Sequence, residues 1–257
     1  MAISKDDARQ LLVLGERLEG DVAQLAVIDL KQSTRNRRVR ELQLDHFSGL
    51  VTAVAFSQDV RFIAGVIGNV AFLWDWSRKV MVGKEALVPN ITRITVNPKD
   101  NHIVSTSGNN HWKVWRVEEG SFKEQPLYSK LSQNQYFTDH DWVDAETLIA
   151  ITDMNEAFVA RGQQILQYIE FSFGKDAEHN VIAAGATCVL STSKGFIVAS
   201  EEGHLALWEA VDEARHDEEE EPGPFRHVKT WHCGKEAANR SAGLVAEQRN
   251  TGDCFEI

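Results

Sequence analysis

Short runs of alternating apolar and polar residues, each closed by a polar turn, organise the chain. Val51 to Phe56 (V-T-A-V-A-F) ends in Ser57-Gln58-Asp59, and Ile91 to Val96 (I-T-R-I-T-V) ends in Asn97-Pro98-Lys99-Asp100. Alternation with period two, bounded by Gly, Asn, Asp and Pro, predicts antiparallel strands with one face buried. A second β-rich run follows each of them (Phe62 to Val66; His102 to Thr106). Then come Gly68-Asn69 or Gly108-Asn109 and a third, aromatic strand ending in Leu73-Trp74-Asp75 or Val114-Trp115-Arg116. The run Gly203-His204-Leu205-Ala206-Leu207-Trp208-Glu209 repeats the plan near the C-terminus. No stretch between these runs sustains an apolar period of about 3.6, so alternating strand–helix folds fit poorly.

Two weaker copies fill the gaps: Leu25 to Leu30 has Ile28 in the tryptophan's place, and Ala157 to Ala160 has Val159 there. With Ile28, Trp74, Trp115, Val159 and Trp208 as anchors, the spacings are 46, 41, 44 and 49 residues. Four short strands repeating every 40 to 45 residues or so, with a Trp-Asp ending, mark the blade of a propeller. The predicted fold is an all-β WD-repeat β-propeller with about five four-stranded blades, near 3–44, 50–83, 91–127, 134–171 and 183–232. Trp74, Trp115 and Trp208 should be buried between blades. Gly68, Gly108 and Gly203 are expected at turns with positive φ.

Residues 1–232 then form the propeller, with an acidic loop at 209–224 in the last blade, and 233–257 form a polar tail. Both 212–224 and 234–257 are expected to be the least ordered parts. Propellers remove their edges by letting the two chain ends share a blade. Apart from Gly243-Leu244-Val245-Ala246, the tail offers no such strand. The expectation is an incomplete or open ring, an arc with apolar residues near Leu11 to Leu14 and Leu205 to Leu207 left at its ends.

Charge narrows the class of partner. The formal net charge is −11, which argues against nucleic acid, because phosphate binding needs a basic surface. Much of it is local, since Glu209 to Glu221 carries eight acids against Arg215. No apolar run is long enough to span a bilayer, and Met1 is followed by Lys5, Asp6 and Asp7 rather than a signal core. Three scattered cysteines (Cys188, Cys233, Cys254) read as free thiols in a reducing compartment. A cytoplasmic or cytoskeletal protein, with no membrane partner, follows.

Candidate chemistry is thin. His140-Asp141 with Asp144 could support acid–base or metal work, but a histidine beside Trp142 in a blade reads better as a structural hydrogen-bonder. His204 reads the same way. His227, His232 and Cys233 lack the second close cysteine of a structural zinc site. Ser193-Lys194-Gly195 lacks the spacing of a phosphate loop. The carboxylates of 217–221 sit on a charge block, with no fixed pair in a dry cleft. No catalytic residue, metal ligand or cofactor is expected. The interaction candidates are Arg35, Arg37, Arg38 and Arg40, which could steer docking onto an acidic filament, and the acidic loop 212–221, which could meet a basic partner.

Several segments resemble the cilia- and flagella-associated protein 57 family of axonemal WD-repeat proteins. Ile94-Thr95-Val96-Asn97-Pro98-Lys99-Asp100-Asn101 is similar to that family's V-S-F-N-P-Q-D-N strand. Ser107-Gly108-Asn109 and Glu119-Gly120-Ser121-Phe122-Lys123-Glu124 resemble its T-G-N-G turn and E-G-x-L-K-Q hairpin. His140-Asp141-Trp142-Val143 resembles H-T-W-V, and Thr192-Ser193-Lys194-Gly195-Phe196 resembles Y-S-K-G-F. Phe72-Leu73-Trp74-Asp75-Trp76 with Lys79-Val80-Met81 resembles W-x-W-E-K-x-K-V-M. The matches fall in order across residues 3 to about 210, and the related axonemal families numbered 43, 44 and 251 share some of the features. The resemblance implies a scaffold of the axoneme of cilia or flagella whose protein partners include inner dynein arm components and tubulin. Family members also carry an earlier blade, a second propeller and a coiled coil. The competing readings are a general cytosolic WD-repeat adaptor and a propeller enzyme such as a lactonase or glycosidase.

Overall fold

A computed structural model describes residues 1–4, 10–19, 22–32, 38–88, 90–126, 135–174, 184–211 and 223–233. Among these described residues, twenty strands form five antiparallel four-stranded sheets, each made of four strands consecutive in sequence. The first holds β1 (Ala2–Ile3), β2 (Leu11–Arg17), β3 (Val22–Asp29) and β4 (Arg38–Ser48). The second holds β5 (Val51–Phe56), β6 (Phe62–Ile67), β7 (Val70–Asp75) and β8 (Val80–Ala86). The third holds β9 (Ile91–Val96), β10 (Ile103–Gly108), β11 (His111–Glu118) and β12 (Ser121–Gln125). The fourth holds β13 (Phe137–Trp142), β14 (Thr147–Thr152), β15 (Glu156–Arg161) and β16 (Gln164–Glu170). The fifth holds β17 (Ala186–Thr192), β18 (Gly195–Ser200), β19 (His204–Ala210) and β20 (Phe225–His232).

These sheets are the blades expected from the sequence. The innermost strands β5, β9, β13 and β17 contact one another in succession, and β2 packs on β5. Four apolar cores fill the four seams: Val13, Leu25 and Phe72 between the first and second blades, and Leu73, Ile94 and Trp115 between the second and third. Trp112, Phe137 and Phe158 fill the third seam, and Ile149, Val159, Phe196 and Trp208 the fourth. Among the described residues no apolar cluster joins the fifth blade to the first. The ring is open.

The third-strand anchors behave as expected in three blades. Trp115 (7% exposed) and Trp208 (3% exposed) are buried, and Ile28 takes the same place in β3. Each turns toward the preceding blade or, for Ile28, away from the second. Trp74 lies on the same face but is only half-buried, at the margin of the first seam beside Met81. The fourth blade corrects the alignment by one residue. Trp115 pairs with Val104 and Trp208 with Phe196, each the second residue of its neighbouring strand. The equivalent position pairs Ala160 with Leu148. Val159 therefore faces the fifth blade, and Phe158 occupies the face where the other blades place tryptophan. A one-residue slip in a strand reverses every side chain.

Gly68 (φ 58°) and Gly203 (φ 81°) take the left-handed conformation, whereas Gly108 does not; Asn110 (φ 51°) makes that turn instead. Gly108 is required for another reason: a Cβ there would collide with the carbonyl oxygen of Asn90. The acidic loop 212–221 and the tail 234–257 lie outside the described residues. Among the described residues no helix is long and apolar enough to cross a membrane.

Candidate functional site

The inner strands of the third to fifth blades converge in one buried polar network. Asp139 and Asp141 share one face of β13, and His140 faces the other way. Asp139 forms an ion pair with Arg93 of β9 at 3.0 Å and accepts the Val189 N–H of β17 at 3.0 Å. Asp141 accepts both the N–H (3.0 Å) and the hydroxyl (2.6 Å) of Ser191. His140, wholly buried, hydrogen-bonds through Nε2 with Thr95 (2.9 Å) and through Nδ1 with Ser107 (2.7 Å). Thr95 is in turn bonded to Ser105 at 2.6 Å. One three-residue stretch of β13, Asp139 to Asp141, thus ties the fourth blade to both neighbours.

The electrostatics follow from that burial. Burial, with help from the Arg93 charge, depresses His140 from 6.5 to about 3, so the ring is neutral and its two nitrogens serve the two hydroxyls. Burial pushes Asp139 above the usual carboxylate range, against the pull of Arg93 and the N–H groups of Val189 and His140. Asp144 differs in kind. Burial pushes its pKa up, but the N–H groups of Glu146 and Thr147 outweigh that and hold it low. It closes the β13–β14 turn. So both oxygens of Asp139 and one oxygen of Asp141 are engaged in hydrogen bonds or the Arg93 ion pair, and both ring nitrogens of His140 are bonded to hydroxyls.

Asp139→Ala would leave the buried Val189 N–H unpaired, along with the guanidinium of Arg93. A loss of about 3 kcal/mol is expected, read as the shift in urea midpoint. Asp144→Ala, in a solvated turn, should cost about 1 kcal/mol or less.

A similar hydrogen-bond chain sits inside the third blade: Trp115 Nε1 donates to Thr106 (2.8 Å), whose hydroxyl also bonds His111 at 2.7 Å. In the second blade the residue nine before the tryptophan is Gly65, which makes room for the Phe72 ring. Trp74 Nε1 there has no partner. Asparagines tie the seams at their turns: Asn97 donates to the Ala145 carbonyl (2.7 Å), and Asn155 both donates to the Ala184 carbonyl (2.9 Å) and accepts the Ala186 N–H (2.8 Å).

Four clefts open along these seams and the channel. One of about 360 Å³ lies at the channel, bordered by Ala2, Phe56, Arg93, Thr95, Asp141 and Trp142. Another of about 390 Å³ lies between the third and fourth blades, bordered by Gln125, Trp142, Glu146, Arg161 and Gln163. Two more, of about 460 and 590 Å³, flank the seam of the fourth and fifth blades. Trp142 borders both the channel cleft and the third–fourth groove, and its buried Nε1 has no partner. The sequence pattern does not single out Arg93, Asp139 or Trp142 as functional; the legible signal is four polar residues, Thr138 to Asp141, inside a strand bracketed by Phe137 and Trp142.

The other candidates stand apart. Arg40 donates to the carbonyls of Trp76 (2.8 Å) and Ser77 (3.2 Å), and its guanidinium lies 5.9 Å from the Trp76 ring. It therefore clips the first blade to the second. Arg35, Arg37 and the Arg38 side chain lie outside the described residues. His204 bonds Ser200 through its backbone N–H at 3.0 Å. His227 rests against Trp208 near the start of β20, and His232 against His204 at its end. Cys188 and Cys233 are exposed free thiols, and burial of the Cys188 sulfur, then the Asp139 charge, raises its pKa. Lys194 sits in the β17–β18 turn, its N–H bonded to Thr192 at 3.3 Å.

Comparison with solved structures decides the architecture. The crystal structure of the Myceliophteria thermophila Cps50 (Swd1) β-propeller domain superposes with a TM-score of 0.62 at 13% identity, over 90% of this chain and 72% of that one. The fold is a WD-repeat β-propeller. No protein-family model matches the sequence, and no curated protein matches it. At that identity the likeness speaks to fold, and folds of this kind host many functions.

Proposed function

We propose that the chain is a non-enzymatic WD-repeat scaffold of the ciliary or flagellar axoneme, helping to place inner dynein arms on doublet microtubules through protein partners. The observation that carries the ciliary reading is the ordered set of family-like segments at 72–81, 94–124, 140–143 and 192–196. These fall on β7 and the start of β8, on β9 to β12, on the end of β13 and on the β17–β18 turn. The scaffold reading has a separate physical support: the polar side chains nearest the channel hold blades together, while the grooves between blades stay open. Rigid blades with open grooves present loops and pockets to a protein without any chemical step.

A tagged copy expressed in ciliated cells tests the proposal. It is expected to remain with the doublet microtubules after detergent extraction, and its loss is expected to weaken motility. A copy spread through the cytoplasm and absent from extracted axonemes would overturn the ciliary reading in favour of a general cytosolic adaptor.

A further inference from the structure

Among the described residues, the terminal blades each bury one face and leave the other uncovered. In the fifth, Phe196, Val198, Ala206 and Trp208 pack against the fourth blade. Its opposite face carries two cross-strand rows, Cys188–Ala199–Leu205–Trp231 and Leu190–Ile197–Leu207–Lys229. Leu190 is 55% exposed, and Ile197, Leu205, Leu207 and Trp231 are only half-buried. In the first blade, Val13, Leu25 and Val27 pack on the second. The opposite face carries the rows Ile3–Leu12–Ile28–Arg38 and Leu14–Ala26–Glu41. Ile3 is 58% exposed, and Leu12, Leu14 and Ile28 are half-buried. Both faces are apolar at the centre, unlike a solvated sheet face, where polar residues dominate.

The two faces are complementary halves of one interface. Every internal seam joins the face one blade turns forward to the face the next blade turns back. The fifth blade's uncovered face is a forward one, and the first blade's is a backward one. We propose that a second copy of this chain packs its first blade onto the fifth blade of the first copy, head to tail, continuing the seam that recurs four times within the chain. A pairing of unlike faces is heterologous, so the assembly keeps one free forward and one free backward face until a ring closes. This reading stands independently of the ciliary one, since it rests on the two faces alone.

Sedimentation velocity and light scattering on the 257-residue chain are expected to show a mass that rises from monomer with concentration. Leu190→Glu blocks the fifth-blade face and Ile3→Glu the first-blade face; both residues are more than half exposed, so each variant is expected to melt like the parent. Each alone should be monomeric, and an equimolar mixture should form a one-to-one dimer and nothing larger. A parent chain that stays monomeric at every concentration overturns the proposal and leaves the faces to a foreign sheet or to closure within one chain. A dimer that survives in either single variant overturns it too, because it would mean like faces pair.

Discussion

Trp208→Ala is expected to destabilise the fifth blade by about 3–5 kcal/mol, the usual range for deleting a buried aromatic ring. The ring is 3% exposed. It stacks on Phe196 (centroids 5.3 Å apart, planes within 10°) and takes the edges of Phe171 at 5.1 Å and His227 at 5.2 Å. Phe171 and the core around Ile149 and Val159 belong to the fourth blade side, so the substitution removes much of the one seam that holds the last blade. Blades in an open arc are coupled in series, each to its neighbours. A terminal blade therefore has a single seam, and weakening it should separate its melting from the rest. The expected record is an early transition in which amides of β17 to β19 lose protection while those of β9 to β11 keep theirs. Trp74→Ala is the control: its half-buried ring sits at the edge of a seam, and about 1–2 kcal/mol is expected. A single cooperative transition, shifted equally by both substitutions, would show that the fifth blade is held by more than the seam to the fourth.

Much of this architecture is legible in the sequence because a propeller repeats its physics. Each blade needs four short strands and a large ring on the third, so Trp74, Trp115 and Trp208 mark three blades, and spacing locates the others. The fourth blade is where the reading slips. Ala157-Phe158-Val159-Ala160 is apolar at every position because both faces of a central blade are buried, and period two then carries no information about which face is which. Gly108 was attributed to a positive φ, whereas it answers to the approach of the Asn90 carbonyl, a contact between strands whose registers no local pattern reveals. The network at β13 was half visible. His140-Asp141 stands out in the sequence, and the hydrogen bonds expected of His140 are present, but Asp139 and its partner Arg93 lie 46 residues apart, and only the fold brings them together. The uncovered ends were legible for the opposite reason: Leu205 and Leu207 are apolar where an outer face would be polar.

Acidification from pH 7 to pH 5 is expected to lower stability by about 4 kcal/mol, from two buried histidines acting together. His140 falls from 6.5 to about 3 through burial first and the Arg93 charge second, and His111 falls to about 4 through burial first and Lys113 second. Both side chains are shielded from solvent, at 0% and 3% exposure, so salt screens little of the effect. Between the folded and unfolded pKa values the unfolded chain binds the proton and the folded chain does not. Stability therefore falls as pH drops below about 6.5, at up to about 1.4 kcal/mol per pH unit for each histidine, or about 2 kcal/mol each by pH 5. Asp139 works in the opposite direction. Its folded pKa is raised, so the folded state takes up its proton first, and acid favours the fold over the window just above 3.8. Asp59, Asp75 and Asp144 have depressed values, so their contribution is lost only below about 3.8, outside this range. Urea titrations at pH 7, 6 and 5 measure the slope, and His140→Gln separates the causes. The glutamine cannot titrate, so the variant should be less stable than the parent at pH 7 yet lose only about half as much stability on going to pH 5. An unchanged slope in that variant would mean that His140 is protonated in the fold, and its bonds to Thr95 and Ser107 would then have to be those of an imidazolium donating to both hydroxyls.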